Sequence, residues 1–167
     1  MDFIAWLTLI FPVCMLVAMY TDFSRFEIPN LLCLVLAISF LPIAIFAELS
    51  LLHILGRYGV GMVLFMIGMV LFHFNYFGGG DGKLIAAVGI WTGHYLLPAF
   101  LLYMGVFGGV LALIIVLLRK SSLPDKVSDG SIFKPILSRD NGIPYGIAIG
   151  IAGLIIYPFL PFIRLPF

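Results

Sequence analysis

Six apolar runs, at about residues 3–20, 31–47, 58–74, 84–98, 99–118 and 143–163, take up most of this sequence, and the gaps between them carry nearly all its charge. A helix that crosses a bilayer needs about 20 predominantly apolar residues. A chain of 167 residues therefore accommodates about six such helices, with short connections and no separate soluble domain. Composition agrees: 63% of the residues are hydrophobic, 10% are charged, and the mean hydropathy is +1.20. Soluble domains are about half apolar and roughly a quarter charged, and one this small could not bury the excess. A soluble enzyme, a secreted disulfide scaffold and a disordered tail are excluded. The expected fold is all-α: a polytopic membrane protein, a bundle of about six transmembrane helices forming one integral-membrane domain over residues 1–167.

Charge and cysteine content exclude further classes. Nine Lys and Arg against eight Asp and Glu leave a net charge of +1, which makes no nucleic-acid surface. Cys14 and Cys33 stand inside apolar runs without CxxC spacing, so they read as buried small hydrophobes rather than a disulfide or a zinc site. His53, His73 and His94 are scattered over different runs, and no shared metal site is expected. The first run lacks a basic leader and a small-residue cleavage signal, and reads as a permanent span.

The gaps divide the runs unequally. Residues 21–30 end in Ile28-Pro29-Asn30, where Pro29 disfavours helix at Ile28 and suits the first turn of the next helix. Residues 48–57 are semi-apolar and read as an interfacial segment. Residues 75–83 contain Gly78-Gly79-Gly80, which reads as a loop. Runs four and five meet at Pro98, where a tight turn is expected, and 119–142 is the one long polar stretch. With residues 21–30, 75–83 and 119–142 in the cytoplasm, seven of the nine basic residues (all but Arg57 and Arg164) lie inside. The positive-inside rule then sets both termini on the extracytoplasmic side. Gly105/Gly109 and Gly146/Gly150 have the small-xxx-small spacing that allows close helix packing, here within the bundle.

That arrangement brings Asp22 and Asp81 to the same face. An ionised carboxylate near the end of a span is costly and usually marks a functional position. Asp2, Glu48, Asp125, Asp129 and Asp140 read as solvated, and Glu27 as a loop acid favoured at the start of the second span. Asp22 lies where the first span leaves the hydrocarbon. Asp81 is a fitting N-cap for a helix starting near Lys83, but capping does not account for three preceding glycines. Two carboxyl groups within hydrogen-bonding distance share one proton near neutral pH. Such a pair can activate water on one side of a peptide carbonyl and donate a proton on the other. A small proton- or cation-coupled membrane transporter using the same carboxylates is the second reading, and a noncatalytic scaffold the third.

Asp22 followed by Ile28-Pro29-Asn30, and Gly78-Gly79-Gly80-Asp81-Gly82-Lys83 after one hairpin of spans, resemble the type IV prepilin peptidase family. The resemblance is closer to its short, single-function branch serving Flp/Tad-type pili. The second motif matches the GxGD signature shared with intramembrane aspartyl proteases of the presenilin class, and Ile143-Pro144-Tyr145-Gly146 resembles a further family feature. The resemblance implies a multi-pass protein of the bacterial inner (cytoplasmic) membrane. It implies an aspartic endopeptidase that removes the basic leader of an Flp-like prepilin at the cytoplasmic face, cutting after the glycine before the substrate's hydrophobic helix. Asp22 and Asp81 become the catalytic pair, Gly78 and Gly80 allow the active-site loop its close approach, and Lys83 either balances charge there or is an ordinary interface lysine. The partners implied are prepilin-like membrane substrates and the lipid bilayer, with no cofactor and no metal. Larger relatives carry a cysteine-containing cytoplasmic segment and methylate the new N-terminus. This chain lacks that segment, so cleavage without methylation is expected.

Overall fold

The helices begin and end where local chemistry dictates, and two of those ends meet at one cavity. The structure, a computed structural model, describes residues 6–121, 134–138, 142–161 and 163. The chain is helical from Trp6, with a one-residue turn at Leu9, and α1 spans Ile10–Arg25. It stops at Phe26, whose left-handed backbone (φ 56°, ψ 31°) turns its N–H onto the Asp22 carbonyl. Glycine usually occupies such a position. Pro29, in extended conformation, then opens α2, Asn30–Phe46, as the sequence predicts.

Helix α3, Leu51–His73, starts well before the expected run at residue 58. Ser50 caps it by accepting the His53 N–H, and helix continues through Gly56 and Arg57. The supposed interfacial segment is therefore mostly the first two turns of a span. At 23 residues, α3 is about 34 Å long, enough for a hydrocarbon core of about 30 Å.

Helix α4, Gly79–Lys120, corrects the sequence reading in two places. It begins inside the glycine cluster, with Gly78 as N-cap, so Asp81 occupies the third helical position and is not itself the cap. Its break falls at Gly93 (φ 60°, ψ −174°) and not at Pro98, which lies within regular helix. A proline removes one hydrogen bond, a loss that neighbouring helices make tolerable in a membrane bundle. The Gly93 conformation is closed to residues with a Cβ. Arg57 attends the break: its guanidinium donates to the Trp91 and Ile90 carbonyls, which the interrupted helix would otherwise leave unpaired.

A short helix α5, Lys134–Leu137, precedes α6, Tyr145–Ile156, which ends in a 3-10 turn at Tyr157–Phe159. The last regular element is thus shorter than the apolar run at 143–163. Most of the 119–142 loop, with Asp125, Asp129 and Asp140, lies outside the described residues, as do Asp2 and Arg164. Every described element is helical, and Trp6–Arg25, Leu51–His73 and Gly79–Lys120 are long and apolar enough to cross a membrane.

Helix α4 is the centre of the bundle, packed against α2, α3 and α6, and α6 in turn packs against α1. Glycines set these contacts. A Cβ on Gly82 would stand 3.2 Å from the Gly68 Cα, so α3 and α4 cross backbone to backbone at that point. Gly150 and Gly153 on α6 face Met19 and Met15 of α1, the internal packing that the glycine spacing predicts. Gly105 and Gly109 face nothing within 4 Å among the described residues. Between the helices, Phe11, Phe40 and Trp91 are fully buried. Their rings meet at centroid distances of 5.0 Å (Phe11–Trp91) and 6.0 Å (Phe40–Trp91), and the Trp91 indole N–H donates to the Leu36 carbonyl at 2.7 Å. Cys14 and Cys33 are buried free thiols. Outer faces carry exposed Leu34, Ile38, Leu52, Met66, Val110 and Leu113, a surface that suits lipid and not water.

Candidate active site

Two helix ends create the site. Asp22 stands in the last turn of α1 and Asp81 in the first turn of α4. Both line one open cavity of about 450 Å³, whose walls are Thr21, Asp22, residues 25–30 and residues 78–81. Asp22 is 5% exposed and Asp81 half-buried, although each is a group that favours water.

Each carboxyl is fixed by backbone. Asp22 accepts the Gly146 N–H at 2.6 Å, from the first turn of α6. Asp81 accepts from the Gly78 N–H, so its side chain reaches back over its own helix start, in the manner of a capping box. Asp81, though not the N-cap, thus serves the helix start and lines the cavity at once.

The glycines of the cluster are explained by what their missing side chains would strike. A Cβ on Gly78 would lie 2.5 Å from Asp81 Oδ2. On Gly80 it would lie 3.1 Å from Ile28 Cβ, and that buried Ile28 anchors the extended segment after Phe26 against the first turn of α4. Lys83 donates from Nζ to Asn30 Oδ1 at 2.7 Å, tying the start of α4 to the start of α2. Phe26, Ile28 and Asn30 belong to the cavity wall, and Lys83 braces it through Asn30.

Three features escape the sequence reading. Glu27 is exposed, as expected of a loop acid, but it also lines the cavity beside Arg25. Gly146, expected as a packing glycine and as part of the Ile143-Pro144-Tyr145-Gly146 motif, reaches Asp22 across a sequence separation of 124 residues. The one local signal for it is a glycine placed directly after Pro144-Tyr145 at the opening of an apolar run. Arg57 and Gly93 form a polar joint in the bundle interior that no local pattern announces. Among the described residues no group of three or more His, Cys, Asp or Glu is arranged to hold a metal ion.

Comparison with known proteins adds one finding. The model of the type IV leader peptidase family matches residues 9–113, well over half the chain. The match takes in both aspartates, Gly78–Lys83 and the break at Gly93, and ends before α6. No curated protein and no solved structure matches.

Proposed function

This chain belongs to the type IV leader peptidase family, and on that footing we propose that it is a membrane-embedded aspartic endopeptidase in which Asp22 and Asp81 form the catalytic pair. Its substrates are prepilin-like proteins of the Flp type, cut at the cytoplasmic face of the inner membrane. The observation that carries this reading is the shared cavity: acids from two different helices line one water-accessible space at the helix ends.

The chemistry follows from the pairing. Two neighbouring carboxyl groups do not both ionise cheaply, so the pair holds one proton. The ionised member removes a proton from water while the resulting hydroxide attacks the scissile carbonyl. The protonated member delivers its proton to the carbonyl oxygen. Collapse of the tetrahedral intermediate returns a proton to the departing amine and breaks the C–N bond. Gly78 and Gly80 keep the loop free of Cβ atoms where Asp81 and Ile28 must fit. Lys83 acts through Asn30, as a strut for the loop.

The membrane arrangement belongs to the same proposal. Division of α4 at Gly93 gives six apolar helical segments: α1, α2, α3, the two halves of α4, and α6. With both termini extracytoplasmic, the ends of α1 and the start of α4 lie at the cytoplasmic rim, where substrate with a basic cytoplasmic head meets the enzyme already oriented.

Co-expression with an Flp-like prepilin tests the reading. The wild-type chain produces the shortened pilin, and Asp22→Ala and Asp81→Ala each abolish the size shift while the protein stays inserted. Cleavage that survives either substitution overturns the pair, and Asp-dependent ion flux in vesicles without cleavage would favour the transporter instead.

A further inference from the structure

We propose that the amino end of α6 is part of the catalytic apparatus, with Gly146 as the positioning residue that holds the Asp22 carboxylate in its working orientation. The inference rests on the reading of Asp22 as catalytic and adds an element beyond the stretch that the family model matches.

Asp22 sits badly on its own helix. It occupies the last turn of α1, where the negative end of the helix dipole opposes a carboxylate. Helix α6 supplies the opposite pole. Its first-turn N–H groups have no partners within the helix, and the Gly146 N–H is spent on Asp22 Oδ2 at 2.6 Å. The α6 sequence, YGIAIGIAGLII, contains no charged residue, so its contribution is backbone and dipole alone. The titratable groups that share the cavity with Asp22 are Asp81, Arg25 and Glu27, and none belongs to α6.

Only glycine permits the contact. A Cβ at position 146 would stand 2.8 Å from Oδ2 and 2.9 Å from Cβ and Cγ of Asp22. The helix is also held at the needed depth. Gly150 lets it approach the Met15 carbonyl, to which its own Cβ would come within 3.1 Å. Arg119, at the end of α4, donates to the Ile136 and Gly142 carbonyls, each at 2.9 Å, and so fixes where the chain enters α6.

The test compares Gly146→Ala with Gly153→Ala, measuring kcat, KM and the pH profile of kcat on the purified, inserted protein. Position 153 is a matched control: its Cβ would meet Met15 Sδ at 2.7 Å, on the same pair of helices but away from the carboxylate. A charge-assisted hydrogen bond contributes enough that its loss lowers kcat by about 10- to 100-fold. In Gly146→Ala the expected result is that fall with KM kept, and an acid limb displaced toward higher pH. Gly153→Ala lowers yield of folded protein and leaves the pH profile of the remainder unchanged. Should Gly146→Ala fail to fold, semisynthesis with glycolic acid at 146, which removes the N–H and adds no atom beyond the ester oxygen, gives the same shift. Wild-type kcat and pH profile in the ester variant overturn the positioning role, as does an equal shift in Gly153→Ala. A wild-type chain that cleaves no prepilin overturns the peptidase reading and this inference with it.

Discussion

Gly78 and Gly80 illustrate how a motif letter becomes a steric requirement. At Gly78 an added Cβ meets the oxygen of the very carboxylate that the loop presents, 2.5 Å away, and Asp81 has to leave its position. At Gly80 the added atom presses on Ile28 Cβ at 3.1 Å, a contact relieved when the extended segment carrying Ile28 shifts by a few tenths of an ångström, away from the carboxylate itself. Gly78→Ala is therefore expected to lower kcat at least 10-fold, by displacing a group that must be held within about 0.5 Å of its productive geometry, and Gly80→Ala to lower it less. Steady-state cleavage of a prepilin peptide in micelles decides the order; a larger loss at Gly80 contradicts it. Asp22 and Asp81 carry a second expectation. With one proton on the pair the rate passes through a maximum with pH: in acid both groups are protonated and no base remains, and in alkali both are ionised and no acid remains. A profile that rises to a plateau on either side is incompatible with the shared proton.

Helix α4 shows which parts of an apolar sequence speak for themselves. Its core-facing and lipid-facing residues are nearly all apolar, so periodicity cannot say where the helix bends, and the visible breaker, Pro98, attracts the prediction. The bend goes instead to Gly93, because a glycine with φ 60° reverses the backbone direction whereas a proline only omits a donor. Arg57, a polar residue 36 positions upstream, pins the freed carbonyls, and that partnership is invisible until the helices are packed. Similarly, the early start of α3 depends on Ser50, a cap whose value is local, and on Arg57 finding a buried acceptor, which is not. By contrast Pro29 and the arrival of Asp22 and Asp81 at one cavity are legible, since a proline sets its own φ and a carboxylate at a span end has few tolerable explanations. Gly93→Ala should destabilise the protein by about 1–3 kcal/mol, the magnitude for forcing a Cβ into a glycine-only region, and Pro98→Ala should be neutral or stabilising. Denaturant titration of the reconstituted chain measures both, and the reverse ranking would move the hinge back to the proline.

The bundle as a unit has one property on which the rest depends, the side of the membrane at which its helix ends gather. Asp22 and Asp81 can divide a proton only if the end of α1 and the start of α4 share a surface, and the positive-inside rule predicts that surface on the side where the chain's own basic residues cluster. Exposed Ser24 and Tyr76 flank the cavity's helices on that side, whereas exposed Ser50 and Tyr95 lie at the start of α3 and just past the Gly93 break, near the far ends of the same helices. In a chain whose buried Cys14 and Cys33 are replaced by alanine, single cysteines at 24 and 76 should react with a membrane-impermeant maleimide only after the membrane is opened. Cysteines at 50 and 95 should react in intact spheroplasts. The arrangement is demanding because α1 and α4 are joined through two intervening helices: an even number of crossings between residues 22 and 81 returns the chain to the same side, and an odd number separates the acids by the full bilayer. Labelling of 24 and 76 from opposite sides would thus require α2 or α3 not to cross, and no hydrolysis by the pair could then occur.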